Sequence, residues 1–154
     1  MEYLLHVKKR AIYTLIVGFL LAGCVPLIGA YSPTAYKNAT SLKAETLAIM
    51  DKADEQYALN KTKVESVTVE LSKAHEYVKG LPGDSISAQQ WEILINPDGD
   101  LIGKFFKRWK ERGTLSKVLI DQYKPVISDS FDEIICLEAN KKEASECSKD
   151  EGEQ

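Results

Sequence analysis

The apolar residues in the first half of the chain recur at a helical spacing. After Pro33 no Gly or Pro interrupts the chain until Gly80, and apolar positions step by three and four throughout. Ser32 followed by Pro33 is typical of a helix start, and the segment GLPG at residues 80–83 is typical of a stop. We therefore predict one long helix over about residues 33–79, roughly 70 Å in length at 1.5 Å per residue.

The apolar stripe of this predicted helix is similar to the seam of a coiled coil, with one polar residue in it. Such a stripe is either buried in a bundle formed by the chain itself or paired with a second copy. Self-association through the long helix is therefore the alternative to an intrachain bundle. The stripe consists of Met50, Ala53, Tyr57, Asn60, Val64, Val67, Leu71, Ala74, Val78 and Leu81.

Three shorter helices are predicted after the GLPG stop, over about residues 87–95, 100–112 and 114–142. The capping box SAQQ, which begins at Ser87, opens the first, and Gly113 closes the second. Thr114 or Ser116 caps the third, and Pro125 should kink or split it. The pattern predicts an all-α fold, in which these helices pack along the long N-terminal helix as an elongated helical bundle.

The N-terminal residues follow another pattern. Lys8, Lys9 and Arg10 precede AIYTLIVGFLLAG, thirteen residues in which Thr14 is the one polar side chain. A basic segment, a short apolar run and small residues at its end are typical of a secretory signal peptide. If the apolar run continues to Ala30, it reaches the length of about 20 residues that a bilayer-spanning helix needs. An uncleaved transmembrane anchor is therefore the alternative.

The end of this run, Leu21-Ala22-Gly23-Cys24, resembles the lipobox of bacterial lipoproteins. The resemblance implies that the sulfur of Cys24 receives a diacylglyceryl group and that cleavage makes Cys24 the acylated N-terminus. Val25 in place of Asp implies attachment to the outer membrane, facing the periplasm. The resemblance covers residues 1–24 and extends no further into the chain.

The length and the charge distribution of the chain indicate how it divides into segments. The chain has 154 residues, enough for one domain, and its net charge of −3 excludes a polybasic nucleic-acid binder. The last twelve residues carry five acids, one lysine and few apolar side chains, which predicts disorder. We expect a signal peptide at 1–23, a lipidated tether at 24–32, a helical domain at 33–142 and a disordered acidic tail at 143–154.

Residues that could perform chemistry are few. His75 is the one histidine of the mature chain, and no Ser or Cys stands in a recognisable nucleophile setting. Asn96, Asp98 and Asp100 match the first positions of a calcium loop, but Lys107 stands where a bidentate Glu is needed. We predict no catalytic residue, no metal and no cofactor.

Two thiols remain in the mature chain, Cys136 and Cys147. In an oxidising envelope compartment an accessible pair tends to form a disulfide. The alternative is a buried Cys136 on a helix face and a free thiol in the tail, because spacing does not determine connectivity.

The segment GKFFKRWKERG, residues 103–113, combines aromatic and basic side chains. Five cations lie within nine residues, and Glu111 is the one acid among them. This helix could touch anionic lipid or an acidic partner, or its aromatic side chains could pack in the core with the cations in solvent. The candidate contact surface consists of Lys104, Phe105, Lys107, Arg108, Trp109, Lys110 and Arg112.

These observations favour a protein that acts by binding and is not an enzyme. We expect a structural or adaptor component of an envelope complex, attached to the membrane through its N-terminal lipid and bound to an envelope protein that the sequence does not identify. The alternative is an inhibitor or immunity-type lipoprotein that blocks an envelope hydrolase or a toxin.

Overall fold

Five α-helices and no strand make up residues 29–141, the part of the chain that the computed structural model describes. The predicted all-α class is confirmed. The signal peptide, the lipobox with Cys24, Cys147 and the acidic tail lie outside the described residues. The helices are α1 (Pro33–Met50), α2 (Tyr57–Lys79), α3 (Ser85–Ile95), α4 (Ile102–Arg112) and α5 (Lys117–Asn140).

The helices form an up-and-down bundle whose third position is filled by two short helices. Helices α1 and α2 pack together, α3 and α4 follow one another along α2, and α5 packs against α1 and α3. The end of α4 reaches the start of α2, where the Tyr57 amide donates to the Gly113 carbonyl at 2.7 Å. The end of α5 returns to the α2–α3 loop, where Lys141 lies beside Asp84. This arrangement is a four-helix bundle with a divided third helix.

The predicted single helix over residues 33–79 is wrong, because residues 51–56 form a turn between α1 and α2. No Gly or Pro marks this turn. Its backbone groups instead bond to the distant α4–α5 region: the Leu115 amide donates to the Ala53 carbonyl at 2.8 Å, and the Trp109 indole donates to the Glu55 carbonyl at 3.0 Å. Tertiary contacts therefore satisfy the groups that a continuous helix would have paired internally.

The predicted seam lies inside this bundle. Eight of its ten residues are buried, and Tyr57 and Leu81 at its edges are half-buried. The polar member, Asn60, donates from its side-chain amide to the Glu55 carboxylate at 3.1 Å. The chain therefore buries its own seam. Self-association through this seam, the alternative, would have no exposed apolar stripe to use.

Several helix ends match the prediction. The Ser32 hydroxyl accepts from the Ala35 amide at 3.2 Å, and Ser116 caps α5 by accepting from the Leu119 amide at 3.3 Å. Gly113 closes α4 with a φ of 77°, in the left-handed region that glycine adopts without strain.

Two local predictions differ from the structure. Helix α3 begins at Ser85, so Ser87 is an interior residue and its hydroxyl donates to the Glu138 carboxylate instead of capping a helix. Of the kink or split predicted at Pro125, the split does not occur, because α5 is continuous from Lys117 to Asn140.

Candidate functional site

An open groove of about 920 Å³ runs along one face of α2, where α3 ends and α4 begins. Its surface is largely apolar, and charged side chains stand around it. On the α3 side the charge is the carboxylate of Glu92, and on the α4 side the charges are the ammonium groups of Lys107 and Lys110. The apolar part of the lining consists of Val64, Val69, Ile95, Pro97 and Phe106.

The groove depends on the break between α3 and α4 and on Gly103, the second residue of α4. A Cβ at Gly103 would lie 2.2 Å from the Ile95 carbonyl oxygen and 2.5 Å from that of Asn96. No side chain fits there, so α4 starts with its backbone against the end of α3. Phe106 follows one turn later and is buried beneath the groove.

The aromatic side chains of α4 are part of the core. Phe105 and Trp109 are 0 % exposed, and the Trp109 ring meets the Tyr57 ring edge-on, with centroids 5.6 Å apart. The prediction that Phe105 and Trp109 form a contact surface is therefore wrong. An amphipathic helix buries its apolar stripe, and α4 does so against the start of α2.

Three of the five predicted cations already have partners. Lys104 pairs with Asp100, and Lys107 pairs with Asp98 at 2.8 Å. Arg108 lies over the Tyr123 ring, 5.9 Å from its centroid. The aspartates of the rejected calcium loop are thus counter-charges for α4, which the sequence analysis missed because it considered Glu111 alone.

These pairs shift the ionisation of their members. The hydrogen bond from Lys107, and then its charge, lowers the pKa of Asp98, and the same interactions with Asp98 raise the pKa of Lys107. Lys104 lowers the pKa of Asp100 in the same way. At neutral pH each pair is therefore fully charged, and its two charges largely cancel.

Two charges of the groove are exposed and unpaired. Lys110 on the α4 side and Glu92 on the α3 side form no ion pair with any residue between 29 and 141, whereas Glu65 on the α2 side has a lysine partner. Arg112 forms no ion pair within that range either, but it lies outside the lining of the groove. Tyr57 lies at the far edge, where burial and then the charge of Glu65 raise its pKa. The groove thus offers an apolar floor between an uncompensated anion and an uncompensated cation.

A cluster of charged side chains is buried at the other end of the bundle. The Lys141 ammonium donates to both Glu138 oxygens at 2.8 Å and lies 2.8 Å from the nearer Asp84 oxygen. The Ser87 hydroxyl donates to Glu138 at 2.6 Å. The side chains of Lys141, Glu138 and Asp84 are at most 1 % exposed. The cluster does not line the groove, and its contacts are those of a structural ion network.

The chain enters the bundle at the same place. Gly29 is buried, and a Cβ there would lie 1.9 Å from an Asp84 carboxylate oxygen. The predicted tether over residues 24–32 is therefore not loose over its last residues, because Gly29 packs on the α2–α3 loop and Ser32 caps α1. No sequence signal joins Asp84 to residues more than fifty positions away.

The remaining candidate residues give no further site. His75 is half-buried on α2, and within residues 29–141 no three His, Cys, Asp or Glu side chains are grouped to hold a metal. Cys136 is disulfide-bonded, and the pairing with Cys147 stays a prediction because Cys147 lies outside the described residues. None of the described helices has the length and apolar character of a membrane span.

Comparisons with protein-family models, with curated proteins and with solved structures find no match to this chain. Its function is therefore inferred from its own residues and their geometry.

Proposed function

We propose that the chain is a lipid-anchored protein of the bacterial envelope that binds another protein through the groove between α2, α3 and α4. It acts as a structural or adaptor component of an envelope complex. The observation that carries this proposal is the groove itself, a largely apolar surface with Glu92 on its α3 side and Lys110 on its α4 side.

The chemistry of the groove supports binding. The groove is an open concave surface of about 920 Å³ with a largely apolar lining. Val69 is 51 % exposed within it, although the same side chain would gain free energy from being covered. Apolar contact on the floor supplies affinity, and the charges at the two ends supply orientation and specificity.

The position of the groove supports a protein partner over contact with the anchoring membrane. If Cys24 carries the lipid, the five residues to Gly29 span at most about 18 Å. Gly29 packs at the end of the bundle that holds Asp84, and α2 extends from that end over about 34 Å. Lys110 and Arg112 are at the end of α4 that meets the start of α2, so they face away from the anchored end.

Crosslinking in intact cells tests this proposal, with a photo-crosslinking residue placed at Val69 and, as a matched control, at Val126. The two side chains are 51 % and 52 % exposed, and Val126 lies on α5 outside the groove. We expect Val69 to crosslink to one envelope protein and Val126 to give little product. Equal products at both positions, or none at Val69, would contradict the proposal.

The identity of the crosslinked protein separates the two functions. A structural or secretion component of the envelope supports the adaptor, whereas a hydrolase or a toxin supports the inhibitor or immunity function. A catalytic assay of the crosslinked enzyme with and without this chain then shows directly whether it is blocked.

The lipid anchor has its own test. Cys24→Ser should abolish incorporation of radiolabelled palmitate and block lipoprotein-type cleavage, because the thiolate is the group that accepts the lipid. A mature protein that begins at another residue and carries no lipid would refute the anchor.

A further inference from the structure

We propose that the segment of the partner held in the groove is an amphipathic α-helix with charges of opposite sign at its two ends, whose acidic end lies at Lys110 and whose basic end lies at Glu92. This inference rests on the proposed function, since it names the chemistry of the partner at the same groove.

The walls of the groove favour a helix over an extended segment. Its described walls are α2, α3, α4 and the turn at Asn96 and Pro97, and the backbone groups of the three helices bond within their own helices. An added strand needs a sheet edge with free N–H and C=O groups, which these walls do not offer. An amphipathic helix needs only an apolar floor for its apolar face, and the partly or fully exposed side chains of Val69, Ile95 and Pro97 provide one.

The length of the groove sets the length of the segment. Its lining on α2 runs from Tyr57 to Ser72, which is about 22 Å at the helical rise. A bound helix of about 15 residues, or four turns, matches this distance.

The direction follows from which charges are still available. Lys107 is neutralised by Asp98 at 2.8 Å, and Glu65 pairs with Lys61 at 3.7 Å. Lys110 and Glu92 have no such partner among residues 29–141 and belong to the α4 half and the α3 half of the groove. A helix with acids at one end and bases at the other satisfies both charges in one direction and repels both in the other.

Binding of a labelled synthetic helix to the lipidated full chain in nanodiscs tests this proposal. The probe is a 15-residue peptide with a leucine stripe, glutamates at one end and lysines at the other. A control peptide of the same composition has the charges interleaved. At low salt we expect the first peptide to bind more tightly than the control peptide. The difference between their affinities should shrink as salt is added.

Charge reversal in the protein gives the sharper test. Glu92→Lys and Lys110→Glu should each lower the affinity for the first peptide by about 3- to 10-fold, because each replaces an attraction by a repulsion. The double variant should bind within about two-fold of the original chain, because the peptide then binds turned end for end. Lys79→Glu, an exposed reversal on α2 outside the groove, is the control and should change little.

Each other result overturns the inference. Single reversals without effect, or a double variant without recovery, show that the charges do not orient a helix. If an all-acidic peptide or phosphatidylglycerol vesicles bind equally well to the original chain and to Glu92→Lys, the groove binds an anionic ligand. If Val69 crosslinks to a second copy of the chain, the groove is a dimer interface. If Val69 crosslinks a protein in cells and the peptides fail, the proposed function stands and the helix is excluded. Glu92→Gln and Lys110→Gln replace any reversal that lowers helical content.

Discussion

Both ends of the bundle contain lysines and carboxylates, but they use them in different ways. At the Asp84 end of the bundle, the Lys141, Glu138 and Asp84 side chains are at most 1 % exposed, and the Lys141 ammonium lies 2.8 Å from a carboxylate oxygen of each of the other two. Around the groove Lys110 and Glu92 are exposed and have no partner between residues 29 and 141. The same residue types therefore hold the fold together at one end and remain available for a partner at the other.

Burial explains the difference. A buried charge without a partner is costly, so each member of the buried Lys141 cluster depends on the others. An exposed charge is solvated by water and contributes little to folding. Changes in the Lys141 cluster should thus appear in stability, and changes around the groove should appear in binding.

The largest expected effect is at Lys141. Lys141→Met leaves the Glu138 and Asp84 carboxylates buried without a counter-ion, and we expect a loss of about 3–5 kcal/mol in the free energy of unfolding. Denaturant unfolding followed by circular dichroism measures it. Lys73→Met is the control, because Lys73 is 65 % exposed in a surface pair with Glu70 and should cost less than about 1 kcal/mol. Similar losses in the two variants would remove the contrast between buried and exposed charges.

The second-largest expected effect is that of a disulfide at Cys136, in the last turns of α5 before Lys141. We predict that Cys136 pairs with Cys147, a short loop worth about 2–3 kcal/mol at most. Mass spectrometry of protein alkylated without reduction should find neither thiol modified, and reduction should lower the melting temperature. Alkylation of both cysteines before reduction would contradict the pairing.

The third effect concerns the shape of the groove. Gly103→Ala should cost about 1–3 kcal/mol, because its Cβ has to displace the Ile95 carbonyl, and it should shift α4 away from α3. Gly80→Ala is the control, since the nearest atom to its Cβ is an ordinary 3.4 Å away. Thermal melts compare the two, and equal melting temperatures would show that the close contact at Gly103 does not shape the groove.

The smallest effect is at the exposed Asp98–Lys107 pair. The pKa of Asp98 is lowered by Lys107, so the pair's contribution is present at neutral pH and is lost as the pH falls through the lowered pKa. Lys107→Gln should return the pKa of Asp98 towards its ordinary value in an NMR titration. Lys110→Gln should leave it unchanged, and a pKa that is insensitive to Lys107 would contradict the pair.

Local signals predicted the parts of the fold that local chemistry controls. Ser32, Ser116 and Gly113 mark helix ends in the sequence and in the structure, and the three-four spacing identified a seam that the bundle buries. The turn at residues 51–56 carries no such signal. Besides local turn bonds, two of its carbonyl groups accept hydrogen bonds from Trp109 and Leu115, which are remote in sequence and become neighbours only after folding.

The candidate site was predictable only in part. The basic character of α4 is visible in the sequence, but the burial of Trp109 and the pairing of Lys107 with Asp98 depend on the third dimension. The sequence did not associate Glu92 with Lys110, because only the break between α3 and α4 brings them to one groove. The buried cluster around Lys141 was missed because packing of the bundle brings the end of α5 to the α2–α3 loop.

The most direct test of the groove is the crosslinking yield at Val69 in cells when Lys110 or Lys79 is reversed to Glu. Both lysines are exposed, and Lys110 alone of the two lines the groove. We predict that Lys110→Glu strongly reduces the crosslink to the partner, while Lys79→Glu preserves it and both chains accumulate normally. Equal yields in the two variants would contradict the assignment of this groove as the binding surface.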